Sequence, residues 1–352
     1  MEMKNIHKKV FVGMSGGVDS SVTAMILQDQ GYDVTGVYMK NWSEDLPGFP
    51  CPWRDDYLDA KRVAVQLGIE FKLYDFENDY KQKVVDYMVS EYKAGKTPNP
   101  DIMCNQEVKF KLFLKTALED GADFIATGHY AITRNGSLYR AKDENKDQTY
   151  FLYRVDSSAL EKVIFPLGDL TKPEVRQLAE KNHLATASKK ESMGICFVGK
   201  VGIKDFLSRY IDDKPGEIIN QKGQRVGRHD GAIFYTIGQR HGLDVGGGLP
   251  YYVTAKDINK NIVFVTTDID DKKLWQDELV LTDTHWINNP PNQDDILTVR
   301  IRHRGPLEQI EKLIIQNDSV SLKLNKPVRS ACPGQSAVIY DQDRVVGGGI
   351  IT

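Results

Sequence analysis

A chain of 352 residues is longer than one hydrophobic core usually serves, so two or three domains are expected, and a hydrophobic share of 41% is enough to build them. No run approaches the roughly 18 apolar residues of a membrane span, and the opening MEMKNIHKKV has basic residues without the apolar stretch of a signal peptide, which points to the cytosol. A net charge of −3 gives no global signature of a nucleic-acid binder, and four cysteines (Cys51, Cys104, Cys196 and Cys332) without a CxxC pair argue against a disulfide framework or a zinc ribbon.

In chain order, KKVFVGM reads as a strand, 18–30 as a helix stopped by Gly31, and YDVTGVYMK as a second strand, a βαβ opening. Val18, Val22, Met25 and Ile26 fall on one helical face, expected to cover the sheet. A helix over 55–67 ends at Gly68, the strand FKLYDF follows, and a helix over 106–118 carries Phe110, Phe113, Leu114, Ala117 and Leu118 on one face before the strand ADFIATGHY. Crossovers of this length predict a doubly wound parallel α/β sheet with ligands at the strands' carboxyl ends. The helix over 171–182 opens with the capping box Thr171, Glu174. Glycine- and aromatic-rich segments then give a small mixed domain, and LTVRIRH, SVSLKL, SAVIYD and RVVGGGII predict a C-terminal β-barrel. The expected domains are 1–204, 205–276 and 277–352.

VGMSGGVDSS turns a strand into a helix. Free backbone N–H groups, the helix dipole and the hydroxyls of Ser15, Ser20 and Ser21 then converge, and the absent side chains of Gly16 and Gly17 admit a close ligand. That is an anion site or a plain tight turn; neither a Walker loop nor GxGxxG is present. The order S-G-G-x-D-S resembles the PP-loop of ATP pyrophosphatases, which implies cleavage of ATP between its α and β phosphates. Beside a triphosphate, the Asp19 carboxylate implies a bridging Mg²⁺, or else a simple helix-cap role.

In GKTPNPDIMCNQEVKF, the prolines at 98 and 100 predict an irregular loop that carries Asp101 and Cys104 to a helix start near Gln106, where a thiol is biased toward thiolate. Cys196 lies between Gly194 and Gly199 in SKKESMGICFVG, whereas Cys51 and Cys332 read as packing residues.

Together GMSGGVDSSV, TPNPDIMCN, ATGHYA, KDQTYFL, GICFVG, YTIGQRHGL and ACPGQSAV match, in order and along nearly the whole chain, the bacterial tRNA-specific 2-thiouridylases (MnmA/TrmU family). The resemblance implies a cytoplasmic transferase that replaces the C2 oxygen of the wobble uridine, U34, in tRNAs for lysine, glutamate and glutamine. ATP would adenylate that oxygen, and sulfur would come as a persulfide on Cys196 from a cysteine desulfurase or sulfur relay protein. Cys104 would be the nucleophile that releases sulfur or closes a disulfide with Cys196, and Asp101 the acid/base. The same three residues could instead ligate an iron–sulfur cluster, the less favoured use. By the resemblance Gly13, Met14, Ser15, Gly16, Gly17, Val18, Asp19, Ser20, Met39 and Gly128 bind ATP. Asn99, Pro100 and Asp101 hold the target base, and His129, Lys146, Asp147, Gln148, Arg302, His303 and Gln335 touch tRNA. Acidic residues slightly outnumber basic ones from 276 onward, so an RNA surface there must be local, around Arg300, Arg302, Arg304 and Arg329. An ATP-dependent amide ligase, needing neither thiol, and a non-catalytic RNA-binding relative are the competing readings.

Overall fold

Three sheets organise the described part of the chain. The computed structural model describes residues 7–45, 50–190, 202–212, 214–243, 245–246, 248, 250–292, 295–316 and 319–352. The first sheet takes β1 (Lys9–Gly13), β2 (Asp33–Lys40), β3 (Glu70–Asp75) and β4 (Phe124–Thr127). The hairpin of β5 (Ile132–Arg134) and β6 (Ser137–Tyr139) leaves it, and β7 (Val163–Ile164) returns to give the parallel order β3-β2-β1-β4-β7.

β1 is buried on both faces, as a central parallel strand must be. Val10 and Val12 pack with Ala24 and Leu27 of α1 (Val18–Asp29) and Ala60 and Val63 of α2 (Trp53–Leu67). Phe11 faces the other core, with Val84, Val85, Phe110 and Phe113 from the helical runs 77–93 and 100–119. This is the expected α/β layering, with two corrections. The Val18, Val22 and Met25 face of α1 packs not on the sheet but on Val175 and Ala179 of the helix Lys172–Lys181, so α1 is sandwiched between sheet and helix. Leu118, expected on the buried face of its helix, is 38% exposed.

The second sheet has the order β10-β11-β8-β9, from β8 (Gly216–Asn220), β9 (Arg225–His229), β10 (Tyr252–Asp257) and β11 (Ile262–Thr266). The third is a barrel of β12 (Trp275–Trp286), β13 (Thr298–Arg300), β14 (Glu308–Gln316), β15 (Ser319–Arg329), β16 (Ser336–Asp341) and β17 (Arg344–Ile351), closed by pairing of β12 with β17. Alternation builds it: Val320, Leu322 and Leu324 point into the barrel core between polar neighbours. The hairpin β5–β6, although early in the chain, is added to the edge of this barrel sheet through β17. Among the described residues no helix is long and apolar enough to cross a membrane.

Candidate active site

Residues 13–20 lie at the carboxyl edge of the first sheet, beside β1, from which the chain order runs outward in both directions. In an open parallel sheet that crevice is where ligands gather. Gly17 caps α1 without a side-chain acceptor, leaving the first-turn N–H groups to other partners. Ser20 donates its hydroxyl to the Gly17 carbonyl at 3.1 Å and accepts from the Ser15 N–H at 3.2 Å, which closes the loop while Ser15 stays exposed. Gly16 has φ +75°, and a Cβ there would stand 2.3 Å from the Asp56 carbonyl oxygen, so only glycine suits the turn. A Cβ on Gly13 would meet Met39 Cε at 2.9 Å, and one on Gly128 would meet Ser20 N at 2.8 Å. The structure thus brings residues 13–20, Met39 and Gly128 together, with the Met14 and Val18 side chains turned into the cores.

Asp19 has a cationic neighbour that sequence reading missed. Lys172 Nζ donates to both of its carboxylate oxygens at 2.7 Å, and the Tyr130 hydroxyl donates to Oδ1 at 2.9 Å. Lys172 is only 8% exposed and also lies 5.9 Å from the centre of the Tyr130 ring. A buried ammonium at the mouth of a phosphate-type loop is costly unless paired, and here the pairing is complete on the carboxylate side. The residues do not fit a protein-built Mg²⁺ site: Asp19 is engaged by Lys172, and no three His, Cys, Asp or Glu group together among the described residues. The only sequence cue was the capping box, which is present; it gave no sign that Lys172, N1 of that helix, reaches back to α1.

The loop expected around Asp101 and Cys104 is helix. Asn99 is the N-cap and accepts from the Asp101 N–H at 3.2 Å, Pro100 occupies the first turn, and the helix Pro100–Met103 runs into a π-helical segment, Cys104–Phe113. Proline is favoured at N1, where its missing N–H would be unpaired anyway, so Pro100 starts the helix that it was expected to exclude. Cys104 therefore stands more than a turn inside, fully buried in the core with Ile102 and Val108. Phe113 Cε1 lies 3.5 Å from where a Gly13 Cβ would be. The helix that carries Asp101 and Cys104 at its start thus reaches the phosphate-type loop at Phe113. Lys109 of the same helix approaches His129 Nε2 at 3.5 Å, and Thr127 Oγ1 lies 2.7 Å from His129 Nδ1. Burial and then Lys109 push the His129 imidazole well below its ordinary pKa, so it is neutral, and it is 9% exposed. Cys196, with its GICFVG segment, lies outside the described residues. Cys332 is buried, and Cys51 is half-buried with its thiol pushed up by burial.

The residues expected to meet RNA divide into a surface and its support. Asp147 is not on the surface: it is 1% exposed and accepts from Arg300 at 3.0 Å and from the Thr149 hydroxyl at 2.8 Å. Arg300, expected in a basic patch, is likewise buried, and removing either partner of such a pair costs about 3–5 kcal/mol. Around this hub Lys146 and Gln148 are partly exposed, and Arg302 and Arg304 are exposed on the turn after β13, beyond the strand itself. Arg304 donates to the Asn145 carbonyl at 3.1 Å, and the His303 ring lies tilted at 43° against Phe151 with centroids 4.5 Å apart. Gln148 Oε1 accepts from the Tyr130 N–H at 3.0 Å, which links this surface to the Asp19 cluster. Gln335 stands apart from it: its Nε2 donates to the Thr97 carbonyl at 2.7 Å, just before the Asn99 cap.

Three family models match in succession: a tRNA methyl transferase HUP domain over residues 8–200, a tRNA methyl transferase PRC-barrel domain over 204–267, and an aminomethyltransferase beta-barrel domain over 276–351. Among curated proteins, the tRNA-specific 2-thiouridylase MnmA of Listeria monocytogenes serotype 4a (strain HCC23) is 46% identical over 357 residues, covering 100% of this chain and 96% of the relative. That of Bacillus subtilis (strain 168) is 45% identical over 359 residues with the same coverage. A solved 4-thiouridine synthetase–RNA complex with bound ATP is 20% identical, covering 52% of this chain and 43% of its own, with a TM-score of 0.37, a likeness too slight to carry an argument.

Proposed function

The chain belongs to the tRNA-specific 2-thiouridylase family, and from that premise we propose that it is an ATP-dependent tRNA-uridine 2-sulfurtransferase acting on the wobble uridine of tRNAs for lysine, glutamate and glutamine. The observation that supports the reading best is the phosphate-type loop at 13–20, packed at Gly13 against Phe113 of the helical run whose start carries Asp101 and Cys104. We divide the chain at 1–204, 205–276 and 277–352, and place the protein in the cytoplasm.

In this reading ATP lies with its phosphates on residues 13–20 and its adenine toward Met39, and Gly128 approaches it by backbone alone. The uridine O2 attacks the α phosphorus, the bond to the αβ-bridging oxygen breaks, and its electron pair leaves on pyrophosphate. Lys172 is the protein's own positive charge beside that departing group, held by Asp19 until phosphate competes for it. Mg²⁺ enters only as the companion of ATP's phosphates, and no step is assigned to it. Adenylation makes O2 a leaving group. The terminal sulfur of a Cys196 persulfide, loaded by a cysteine desulfurase or sulfur relay protein, attacks C2 and expels AMP. The Cys104 thiolate then attacks the Cys196 sulfur, which breaks the S–S bond and leaves 2-thiouridine and a Cys104–Cys196 disulfide for a dithiol to reduce. Alternatively, Cys104 attacks first and hydrosulfide is released to the base. Asn99, Pro100 and Asp101 hold the uridine, with Asp101 exchanging its proton.

Lys146, Gln148, Arg302 and His303 form the RNA face, while Asp147 serves it from beneath through Arg300. His129 contributes at the nucleotide edge. Gln335 keeps its Oε1, which has no hydrogen bond among the described residues, for the RNA. The family-model descriptions name methyl transfer, but the full-length relatives name thiolation, and an ATP-type loop in a chain that carries Cys104 and Cys196 suits the latter. The deciding experiment is nucleoside mass spectrometry of tRNA incubated with the protein, ATP, Mg²⁺ and a sulfur source. Formation of 2-thiouridine is expected. Its absence, or a methylated nucleoside in its place, overturns the reading, and ATP cleavage driven by a small carboxylate would favour an amide ligase.

A further inference from the structure

Two motifs, YTIGQRHGL and ACPGQSAV, take no part in adenylation or sulfur transfer, yet both reach the same residue. Thr97, 7% exposed, is held on three sides. Its N–H donates to the Pro333 carbonyl at 2.9 Å, its carbonyl accepts from Gln335 Nε2 at 2.7 Å, and its hydroxyl lies 3.4 Å from that of Thr236. Pro333 and Gln335 belong to the loop before β16 of the barrel, Thr236 to the turn before β10 of the second sheet, and Thr97 to the first unit. The fit is close enough to require glycine twice. Gly334, at φ +92°, would place a Cβ 2.7 Å from Thr97 N, and Gly238, at φ +83°, would place one 2.1 Å from Ser330 Oγ.

The chain beyond Thr97 has little slack. Pro98 and Pro100 have φ fixed by their rings, and Asn99 between them is locked as the helix cap by its bond to the Asp101 N–H. A shift of Thr97 is therefore passed to Asn99, Asp101 and the turn that carries Cys104. We propose that Thr97, with Thr236 and the Pro333–Gln335 loop that grip it, positions the thiolation site, so that the second sheet and the barrel set the register of Asn99, Asp101 and Cys104 over the activated base. This rests on the thiouridylase reading and deepens it. These residues act through Asp101 and Cys104 and touch no reacting atom, and the ATP loop makes none of these bonds.

The signature is uncoupling. Gly334→Ala presses a methyl group on the Thr97 backbone without entering the RNA face. It is expected to lower single-turnover thiolation at saturating tRNA by ~10–100-fold, the cost of misplacing reacting groups by about 1 Å. Pyrophosphate release should continue and tRNA affinity stay within about twofold, so the ratio of 2-thiouridine to pyrophosphate falls. Thr236→Val, which removes one hydroxyl at nearly constant volume, should lower the same ratio by a smaller factor, with Thr236→Ser restoring it; this pair decides the matter if Gly334→Ala fails to fold. An unchanged ratio overturns the proposal, as does a parallel fall of thiolation and pyrophosphate release in step with the folded fraction read from thermal melts. A loss confined to tRNA affinity overturns it too. A parent protein that forms no 2-thiouridine removes the activity reading and this proposal with it, whereas an intact ratio in the variants removes this proposal alone.

Discussion

The phosphate loop and the thiol-bearing helix start are held in opposite ways. Residues 13–20 are fixed by neighbours in the same unit: Ser20 folds on Gly17, Gly16 lies against Asp56, and Asp19 is paired by Lys172 and Tyr130. The segment from Thr97 to Cys104 is fixed by all three sheets, through Thr236, Pro333 and Gln335 at its start and through Asn105, which donates to the Phe151 carbonyl at 3.0 Å, at its end. Nucleotide chemistry is thereby a local property, while the register of sulfur transfer depends on the whole chain being assembled.

The largest expected effect separates the two halves outright. Cys104→Ser should abolish thiolation, by ~10³-fold or more, while pyrophosphate release continues and sulfur still loads on Cys196 in peptide mass maps. Because the Cys104 site is fully buried, the added hydroxyl also costs about 1–3 kcal/mol, and Cys104→Ala serves as the better-packed control. Thiolation at the parent rate in both would return Cys104 to a packing role. Next, Asp19→Ala and Lys172→Met should each lower pyrophosphate release by ~10²–10³-fold with tRNA binding intact. As members of one pair they should combine less than additively in the double variant. Full additivity would mean that the pair does not act as a unit.

The smallest effect tests the RNA face. Changing Arg302 and Arg304 together to Ala should flatten the slope of log affinity against log salt by up to ~0.7–0.9 for each phosphate no longer neutralised, with turnover at saturating tRNA nearly unchanged. His303 makes the contrast: burial, then Arg304, pushes its pKa down to about 4, so at neutral pH it carries no charge and acts through its ring contacts. His303→Phe should therefore leave the slope as it was, and a flattened slope would show that the ring is charged in the complex.

The elements written locally were the readable ones. Gly68 caps α2 with φ 68°, and the Thr171–Glu174 box closes by a backbone bond, each a short-range event with a short-range signal. The strand–loop–helix at 10–30 was readable for the same reason. The misreading at 98–104 was also local: Asn-Pro-Asp is N-cap, N1 and an acidic first turn, a helix-start pattern that the proline count obscured. No local signal carried the long-range pairs: Lys172 with Asp19, Arg300 with Asp147, and the three-way grip on Thr97. Each depends on how segments distant in the chain pack, and a residue's pairing across more than a hundred positions leaves no periodicity to read.

The hairpin β5–β6 has a consequence for how the molecule is made. Its outer partner, β17, is the last strand among the described residues, joined to it at Arg344 and Tyr139. During synthesis the hairpin emerges with the α/β unit and must wait, one edge unpaired, until the ribosome has delivered everything between Tyr139 and Arg344. An unpaired edge is a template for the wrong neighbour. A chain ended before β17 would lose more than its barrel: it would leave a sticky border on the half of the molecule that was already folded.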